Sequence, residues 1–362
     1  MTSTVKSSSF LPLVGSPSVD AATDPQMAGA AQEEGFRAPL DDVQDRLDEA
    51  VPVVDDHATY EGATDEDRSY KLHRRFDRLG RLFGDDAFSR LMNLRVVVFG
   101  TGGVGSYAAE ALARSAVGHI MLVDFDDVCV TNTNRQLQAL KGNIGKPKAQ
   151  LLRDRLRLIN PQAQVEAQRI FYNAERSDEL LTSPWRDGRY DYVLDCIDNV
   201  TAKLHLIATC KERGIRVVSS MGAAGKLDPT QIHIDDLADT QNCALARQVR
   251  KRLREKYDFP RDGQMGVTAV YSKENRQWPR ALSYDKGLGF KCVCPNRSPE
   301  HGCDNRNLID GTAVYVTGSF GFACASAVVN DATADLMAQA PKGLSKAEAD
   351  SKKAAQTNAN VS

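Results

Sequence analysis

The feature that most constrains this chain is a glycine turn set between a strand and a helix. Arg95–Phe99 (RVVVF) reads as a buried strand and residues 105–115 (GSYAAEALARS) as a helix. Gly100-Thr101-Gly102-Gly103-Val104-Gly105 joins them. Glycines at such a junction permit a tight turn and bring backbone N–H groups at a helix N-terminus close to phosphate oxygens. A GxGxxG string alone is a weak signal; the strand before it and the helix after it give it weight. A second strand, 119–124 (HIMLVD), ends in Asp124, placed to accept hydrogen bonds from ribose hydroxyls.

The alternation continues along the chain. Lys148–Ile159 reads as a helix, 165–169 as a short strand, 192–196 (YVLDC) as a buried strand, and 201–213 as a helix. Residues 216–219 read as a strand, 231–234 as one more, and 320–337 as a Gly/Ala-rich helix. Strands interleaved with helices predict an α/β fold: a Rossmann-like, doubly wound, mostly parallel sheet with helices on both faces. Ahead of it, a helical pattern begins near Tyr70 and runs through Phe76, Leu79, Leu82, Phe83 and Phe88.

Charge divides the chain unevenly. Residues 1–70 hold four basic and fifteen acidic side chains, so the net −2 of the whole conceals a basic remainder. An acidic, aromatic-poor segment cannot bury enough surface to offset its ordering entropy and is expected to be disordered, with a short helix near residues 40–50. The expected organisation is this 1–70 extension, a nucleotide-binding α/β domain over 71–340 and a flexible tail at 341–362. No apolar run reaches the roughly 18 residues a membrane span needs. The N-terminus lacks the apolar core of a secretory signal, and eight scattered cysteines suit a reducing compartment, so a cytoplasmic location is expected.

An NAD-dependent dehydrogenase would account for the glycine turn and Asp124, but the next residues favour ATP chemistry. The loop DDVCVTNTNRQ (126–136) adds Asp126, a second carboxylate of the kind that holds Mg²⁺. Asn132 and Arg135 supply neutral and cationic donors, arginine being suited to bidentate contact with phosphate. Lys148 follows Pro147 in the first turn of a helix, where the dipole costs a cation a few tenths of a kcal/mol unless a bound anion offsets it. After the 192–196 strand come Asp198, at the strand end where ligands of open sheets bind, and Asn199, a natural cap for the following helix.

Together these residues closely resemble the ubiquitin-activating-like adenylating superfamily, which includes the thiamine and molybdopterin sulfur-carrier activators. The shared pattern is GxGGxG, DxDxV…NxxRQ, a downstream lysine, and D-x-x-D. The resemblance implies that Gly100, Gly102, Gly103 and Gly105 cradle ATP phosphates and that Asp124 takes the ribose. It implies Mg²⁺ at Asp126 and Asp198, and charge stabilisation at the α-phosphate by Asn132, Arg135 and Lys148. It further implies a homodimer in which a partner's arginine reaches the ATP, with Arg78 the best match and Arg81 a close rival. A monovalent cation and a docking sulfur-transfer protein are compatible with it.

Within the superfamily the chain looks most like the tRNA threonylcarbamoyladenosine dehydratases, through residues 126–136, 222–232 (GAAGKLDPTQI) and 245–258 (LARQVRKRLREKYD). That resemblance implies adenylation of the modified nucleoside's carboxylate and intramolecular ring closure with loss of AMP. It covers roughly residues 74–337. The basic stretch, about 240–258, supports an RNA partner independently. Leu245, Val249, Leu253 and Tyr257 can bury one stripe, while Arg247, Arg250, Lys251, Arg252, Arg254 and Lys256 crowd the rest against Glu255 alone. Arg247, Arg250, Lys251 and Arg254 are the expected tRNA contacts. Two rivals stay open here: an activator of a sulfur-carrier or ubiquitin-like protein, and an NAD-binding dehydrogenase or module.

Among the cysteines, Cys292-Val293-Cys294 with His301 and Cys303 invites a zinc reading. Its C-x-C spacing departs from the usual C-x₂-C, and the segment at about 285–310 reads first as a cysteine-rich substrate loop. Cys129, Cys196, Cys210 and Cys324 read as small core residues.

Overall fold

The computed structural model of the chain describes residues 74–283 and 310–339. The acidic extension, nearly all of the 285–310 loop with Cys292, Cys294, His301 and Cys303, and the 341–362 tail lie outside the described residues.

The first helical stretch is two helices, α1 (Asp77–Phe83) and α2 (Asp85–Asn93), where the periodicity suggested one. Gly84 breaks it by taking a left-handed φ of +82°. Asp85 and Asp86 then stand in the first turn of α2, where acidic groups complement the helix dipole.

The remaining elements follow as β1 (Arg95–Phe99), α3 (Gly105–Arg114), β2 (His119–Val123), α4 (Lys148–Ile159), β3 (Gln164–Gln168), α5 (Ser177–Leu180), β4 (Tyr192–Asp195), α6 (Val200–Glu212), β5 (Arg216–Ser220), β6 (Ile232–Asp236), α7 (Ala244–Lys256), β7 (Thr268–Ser272) and α8 (Val314–Gln339). The sheet order is β3-β2-β1-β4-β5-β7-β6. All neighbours are parallel except β6, which runs antiparallel to β7. The fold is therefore α/β and Rossmann-like, as expected. β7 was not anticipated: TAVYS is short and uniformly apolar over its centre, a pattern that does not by itself distinguish strand from buried helix. It also enters the sheet between two strands that precede it in sequence.

Burial on both faces explains why β1 is a continuous apolar run. Val96 and Val98 face a core built with Leu112, Leu152 and Phe320, while Val97 and Phe99 face one built with Leu206 and Val249. The two cores place α3, α4 and α8 on one face and α6 and α7 on the other. α8 begins at Val314, six residues before the Gly/Ala-rich signal. It rests directly on α3, since a Cβ at Gly321 would lie 2.5 Å from the Val104 carbonyl oxygen and 2.8 Å from the Ala108 nitrogen. Only glycine lets the two backbones approach so closely.

The order of strand addition reverses at β1, which has β2 on one side and β4 on the other, the arrangement that opens a crevice at the carboxyl ends of a parallel sheet. A buried ion pair fixes the β4 side of it. Lys203 Nζ, wholly buried, donates to Asp195 Oδ2 at 2.6 Å and to the Ser220 carbonyl at 3.0 Å; the Ser219 hydroxyl donates to the same carboxylate oxygen at 2.6 Å. α6 is thereby tied to the ends of β4 and β5.

Lys203→Met should strand a buried carboxylate and cost about 3–5 kcal/mol, read as a lowered urea midpoint. The double variant Asp195→Asn/Lys203→Met should recover part of that loss. A single variant as stable as the parent would show that the pair is not what holds this end of the sheet.

Candidate active site

The glycine turn closes β1 and opens α3, with the end of β4 against it. Gly100 has φ +83°, and a Cβ there would lie 2.8 Å from the Cys196 carbonyl oxygen. A Cβ at Gly105 would lie 1.8 Å from the Gly100 oxygen. These two glycines are required by the chain's own packing. Gly102 differs: its nearest atom would be Gln136 Nε2 at 3.7 Å, an ordinary contact. Among the described residues no other atom comes within 4 Å, which leaves room over it for a ligand. Beside it, a Cβ at Gly103 would lie 3.3 Å from Arg135 Cγ, so the arginine stem lies along the turn.

Asp124, at the end of β2, is buried and braces this turn. Its Oδ2 accepts from the Thr101 amide at 2.6 Å and the Thr101 hydroxyl at 2.8 Å, and its Oδ1 accepts from the Asp126 amide at 2.9 Å. Burial raises its pKa above the usual carboxylate range, against the opposing pull of Lys148.

Lys148 is more deeply placed than the sequence suggested. A lysine in the first turn of a helix offers no sign of burial, yet the residue is only 5% exposed. Pro147 stands at the cap position of α4 and Lys148 is its first residue. The ammonium donates to Asp126 Oδ2 at 2.7 Å, and the Lys148 backbone N–H donates to the Asp126 carbonyl at 3.0 Å. Burial by itself would lower the lysine pKa, but the carboxylates of Asp124 and Asp126 more than reverse this and hold it charged. A cation at a helix N-terminus thus owes its place to two acids.

The connection from Val128 to Arg135 brings the other donors in. Asn132 is buried, with its side-chain oxygen accepting from the Cys129 amide at 2.9 Å, which presents the amide nitrogen as the donor. Arg135 Nη1 donates to the Thr131 carbonyl at 2.9 Å and to Asn134 Oδ1 at 3.0 Å. It also lies close enough to Lys148 for their charges to oppose. Beyond β4, Asp198 is exposed, while Asn199 caps α6 by accepting from the Ala202 amide at 3.1 Å. The structure thus gathers Gly100–Gly105, Asp124, Asp126, Asn132, Arg135 and Lys148 around one turn, with Asp198 on the neighbouring strand end.

Sequence reasoning missed the bracing groups. Thr101 clamps Asp124, and the buried Gln138 donates to the Thr101 carbonyl at 2.7 Å. Gln136 lay within the motif without an assigned role; its buried Oε1 has no hydrogen-bond partner among the described residues. Thr101 could have been found inside the glycine string. Gln138 carries no sequence signal because its partner Thr101 is distant along the chain, and Lys203 none because a helical lysine near Asp195 does not announce that both are buried.

The basic helix needs two corrections. Its buried stripe is Ala246, Val249 and Leu253, whereas Tyr257, expected inside, is exposed. Arg250 does not belong to the solvated cationic face: Nη1 donates to the Leu237 carbonyl at 3.1 Å and to the Thr240 carbonyl and hydroxyl at 3.0 and 2.6 Å. It pins the loop after β6. Arg247, Lys251, Arg254 and Lys256 remain outward, with Lys251 3.7 Å from Glu255 and Arg254 Nε donating to the Pro260 carbonyl at 2.9 Å. On α1, Arg81 is tied to Asp77 at 2.9 Å, while the Arg78 side chain is 97% exposed and 3.9 Å from Asp77. The five described cysteines are free thiols; Cys129, Cys210, Cys243 and Cys324 are buried and Cys196 is partly so.

The ThiF family model matches residues 76–338, the span that contains every element just described. The chain belongs to the ThiF family. Among curated relatives it is 39% identical over 259 residues to the tRNA threonylcarbamoyladenosine dehydratase of Haemophilus influenzae, covering 71% of this chain and 92% of that protein. It is 39% identical over 257 residues to the protein of the same name from Escherichia coli K12, covering 70% and 91%. Among solved structures, the E. coli tRNA N6-threonylcarbamoyladenosine dehydratase TcdA in complex with ATP is 35% identical with a TM-score of 0.62, over 76% of this chain and 99% of that one. The AMP complex of TcdA gives a TM-score of 0.63. The glycine turn is a built element, and its two kinds of glycine separate experimentally. Gly105→Ala should lower the melting temperature by many degrees or abolish folding. Gly102→Ala should melt within about 2 °C of the parent, since its methyl meets only ordinary contacts. Equal melting of both variants would contradict the assignment.

Proposed function

We propose that this chain is an ATP-dependent tRNA threonylcarbamoyladenosine dehydratase. The observation that carries the reading is the buried Lys148 ammonium, held between Asp124 and Asp126 beside the Arg135-lined turn of Gly102 and Gly103. That is a site prepared for a polyphosphate, in a chain whose relatives over most of its length bear this enzyme's name. The residues fit ATP: space over Gly102, cations at Arg135 and Lys148, the Asn132 amide, and the Asp124 carboxylate for ribose hydroxyls in addition to its bracing bonds.

Asp126 and Asp198 are the carboxylates suited to Mg²⁺. Among the described residues no three His, Cys, Asp or Glu side chains converge to hold a metal unaided, so phosphate oxygens would complete its shell. Bound there, Mg²⁺ would neutralise phosphate charge. The carboxylate of the threonylcarbamoyl group attacks the α-phosphorus and pyrophosphate leaves. The activated acyl carbon is then attacked from within the same side chain, and AMP departs as the ring closes. Arg135 and Lys148 stabilise the negative charge that develops on the phosphoryl oxygens. Ring closure is intramolecular and needs chiefly positioning, so no protein nucleophile is required.

The tRNA backbone is assigned to the outward face of α7 through Arg247, Lys251 and Arg254. The enzyme is proposed to be a cytoplasmic homodimer, supported by the exposed Arg78 on α1, free to extend toward a second copy, and by the exposed Tyr315 and Phe322 on α8. No helix among the described residues is long and apolar enough to cross a membrane. A monovalent cation and a sulfur-transfer partner remain compatible with the same fold.

Incubation of tRNA with the protein and Mg-ATP should remove one water from the threonylcarbamoyladenosine beside the anticodon, read by nucleoside mass spectrometry. An unchanged nucleoside overturns the assignment. Arg135→Ala should lower the rate about 100-fold or more with the fold intact. Lys148→Met should lose activity and also stability, because it leaves Asp124 and Asp126 without their buried counter-charge; near-parental turnover by either variant removes that residue from the machinery. Reversing Arg247, Lys251 and Arg254 to Glu should weaken tRNA binding and flatten its salt dependence while ATP affinity stays constant. Unchanged tRNA affinity reassigns the helix.

A further inference from the structure

β7 delivers the chain to the same end of the sheet as the glycine turn, because it runs parallel to β5, β4 and β1. The segment that follows ends in Trp278, whose indole is 73% exposed. Water contact over so large an apolar ring is unfavourable, and a loop free to move would fold it away. This segment is held in place. The Gln277 amide donates to the Gly225 carbonyl at 2.7 Å, and the Gly225 amide donates to the Gly311 carbonyl at 2.8 Å. Gly225 has φ +68°, and a Cβ there would lie 2.8 Å from both Arg276 Cγ and the Gln277 oxygen, so this approach excludes any larger residue. The Arg276 guanidinium lies 4.8 Å from the Trp278 ring centre and is anchored by an ion pair to Asp310. A cation stacked on one face of an indole leaves the opposite face as a flat, rigid, electron-rich surface.

Three observations specify what that surface receives. The strand order places β7 three steps from β1 on the side away from β2, roughly 14 Å across at 4.8 Å per strand. Asp124, the ribose residue, is on the β2 side, so the adenine of a bound nucleotide is directed away from Trp278. Next, the segment is continuous with the start of the basic helix. Asn242, just ahead of α7, donates to the Lys273 carbonyl at 3.2 Å, and a Cβ at Gly222 would lie 3.7 Å from both Cys243 Sγ and Leu245 Cβ. Finally, Lys273, Arg276 and Arg280 extend the cationic character of α7 toward the indole. Two acids stand among them: Asp310 pairs with Arg276, and Glu274 is turned to the Leu227 and Asp228 amides, so Lys273 and Arg280 carry the segment's excess positive charge.

We propose that Trp278, backed by Arg276, is a stacking platform for an unpaired base of the RNA substrate, next to the nucleotide whose side chain enters the active site. Single-stranded loops are recognised by splaying bases onto aromatic rings and arginine planes. The pinned segment supplies such a ring between the chemistry at the glycine turn and the phosphate-binding face of α7. This assignment rests on the tRNA reading given above and adds a determinant of substrate affinity to it.

The protein has two tryptophans, Trp278 and Trp185, and Trp185 is 9% exposed, so the long-wavelength part of the intrinsic emission, from a water-exposed indole, reports on Trp278. Titration of the full chain with an anticodon stem-loop carrying threonylcarbamoyladenosine should quench the exposed emission. Mg-ATP alone should not, and Trp278→Phe should lose the response while still binding the RNA. Trp278→Ala should raise the KM for the stem-loop about tenfold or more with kcat and ATP affinity close to parental, and Trp278→Phe should recover most of that loss. Quenching by Mg-ATP alone would assign the ring to the adenine of ATP and overturn the proposal. So would a parental KM in Trp278→Ala with an otherwise active enzyme. A parent chain that neither binds nor dehydrates the stem-loop would overturn the tRNA reading itself, which these other two results leave standing.

Discussion

The ligand end of this sheet depends on cations buried beside their counter-charges. Lys148 lies between Asp124 and Asp126 at the end of β2, and Lys203 lies against Asp195 at the end of β4. An ion pair removed from water recovers its desolvation cost only when geometry is good and remaining hydrogen-bonding positions are filled. The Lys203–Asp195 pair meets that condition, because Asp195 also accepts from Ser219 and from the Ile197 amide. Beside the Lys148–Asp126 pair, Asp124 accepts from Thr101 and from the Asp126 amide. The two pairs bracket β1, so the glycine turn emerging from it is fixed from both sides.

The pairs differ in purpose. The Lys203–Asp195 pair is sealed and makes its bonds wholly within the protein. The Lys148–Asp126 pair opens toward the turn lined by Arg135 and Gly103. A rigid array of charge aimed at a site needs no reorganisation when charge develops there. Under the proposed function, that principle accounts for Lys148 standing at the unfavourable end of a helix dipole.

Much of this was legible in the sequence, and the reasons are specific. β1 and its glycine turn declare themselves because five apolar residues followed by Gly-Thr-Gly-Gly-Val-Gly leave few alternatives. Asp124, Asp126, Asn132, Arg135 and Lys148 were legible because a local motif places them within 25 residues of one another. What the sequence concealed was depth and pairing. The burial of Lys148 was hidden because nothing local reveals that two acids can hold it there. Arg250 resembled its outward neighbours on α7, although a turn of helix carries its guanidinium under the loop after β6. β7 was hidden by its brevity and by its insertion between strands that come earlier in the chain. Each of these depends on contacts remote in sequence, which periodicity does not encode.

The zero-gap contact at Gly321 has a consequence for the order in which the molecule becomes competent. The opening of α3, which presents the phosphate turn, is backed by α8, the element that comes last among those described. During synthesis the glycine turn leaves the ribosome more than 200 residues before that backing arrives. A nascent chain therefore carries the turn without this support until α8 has emerged.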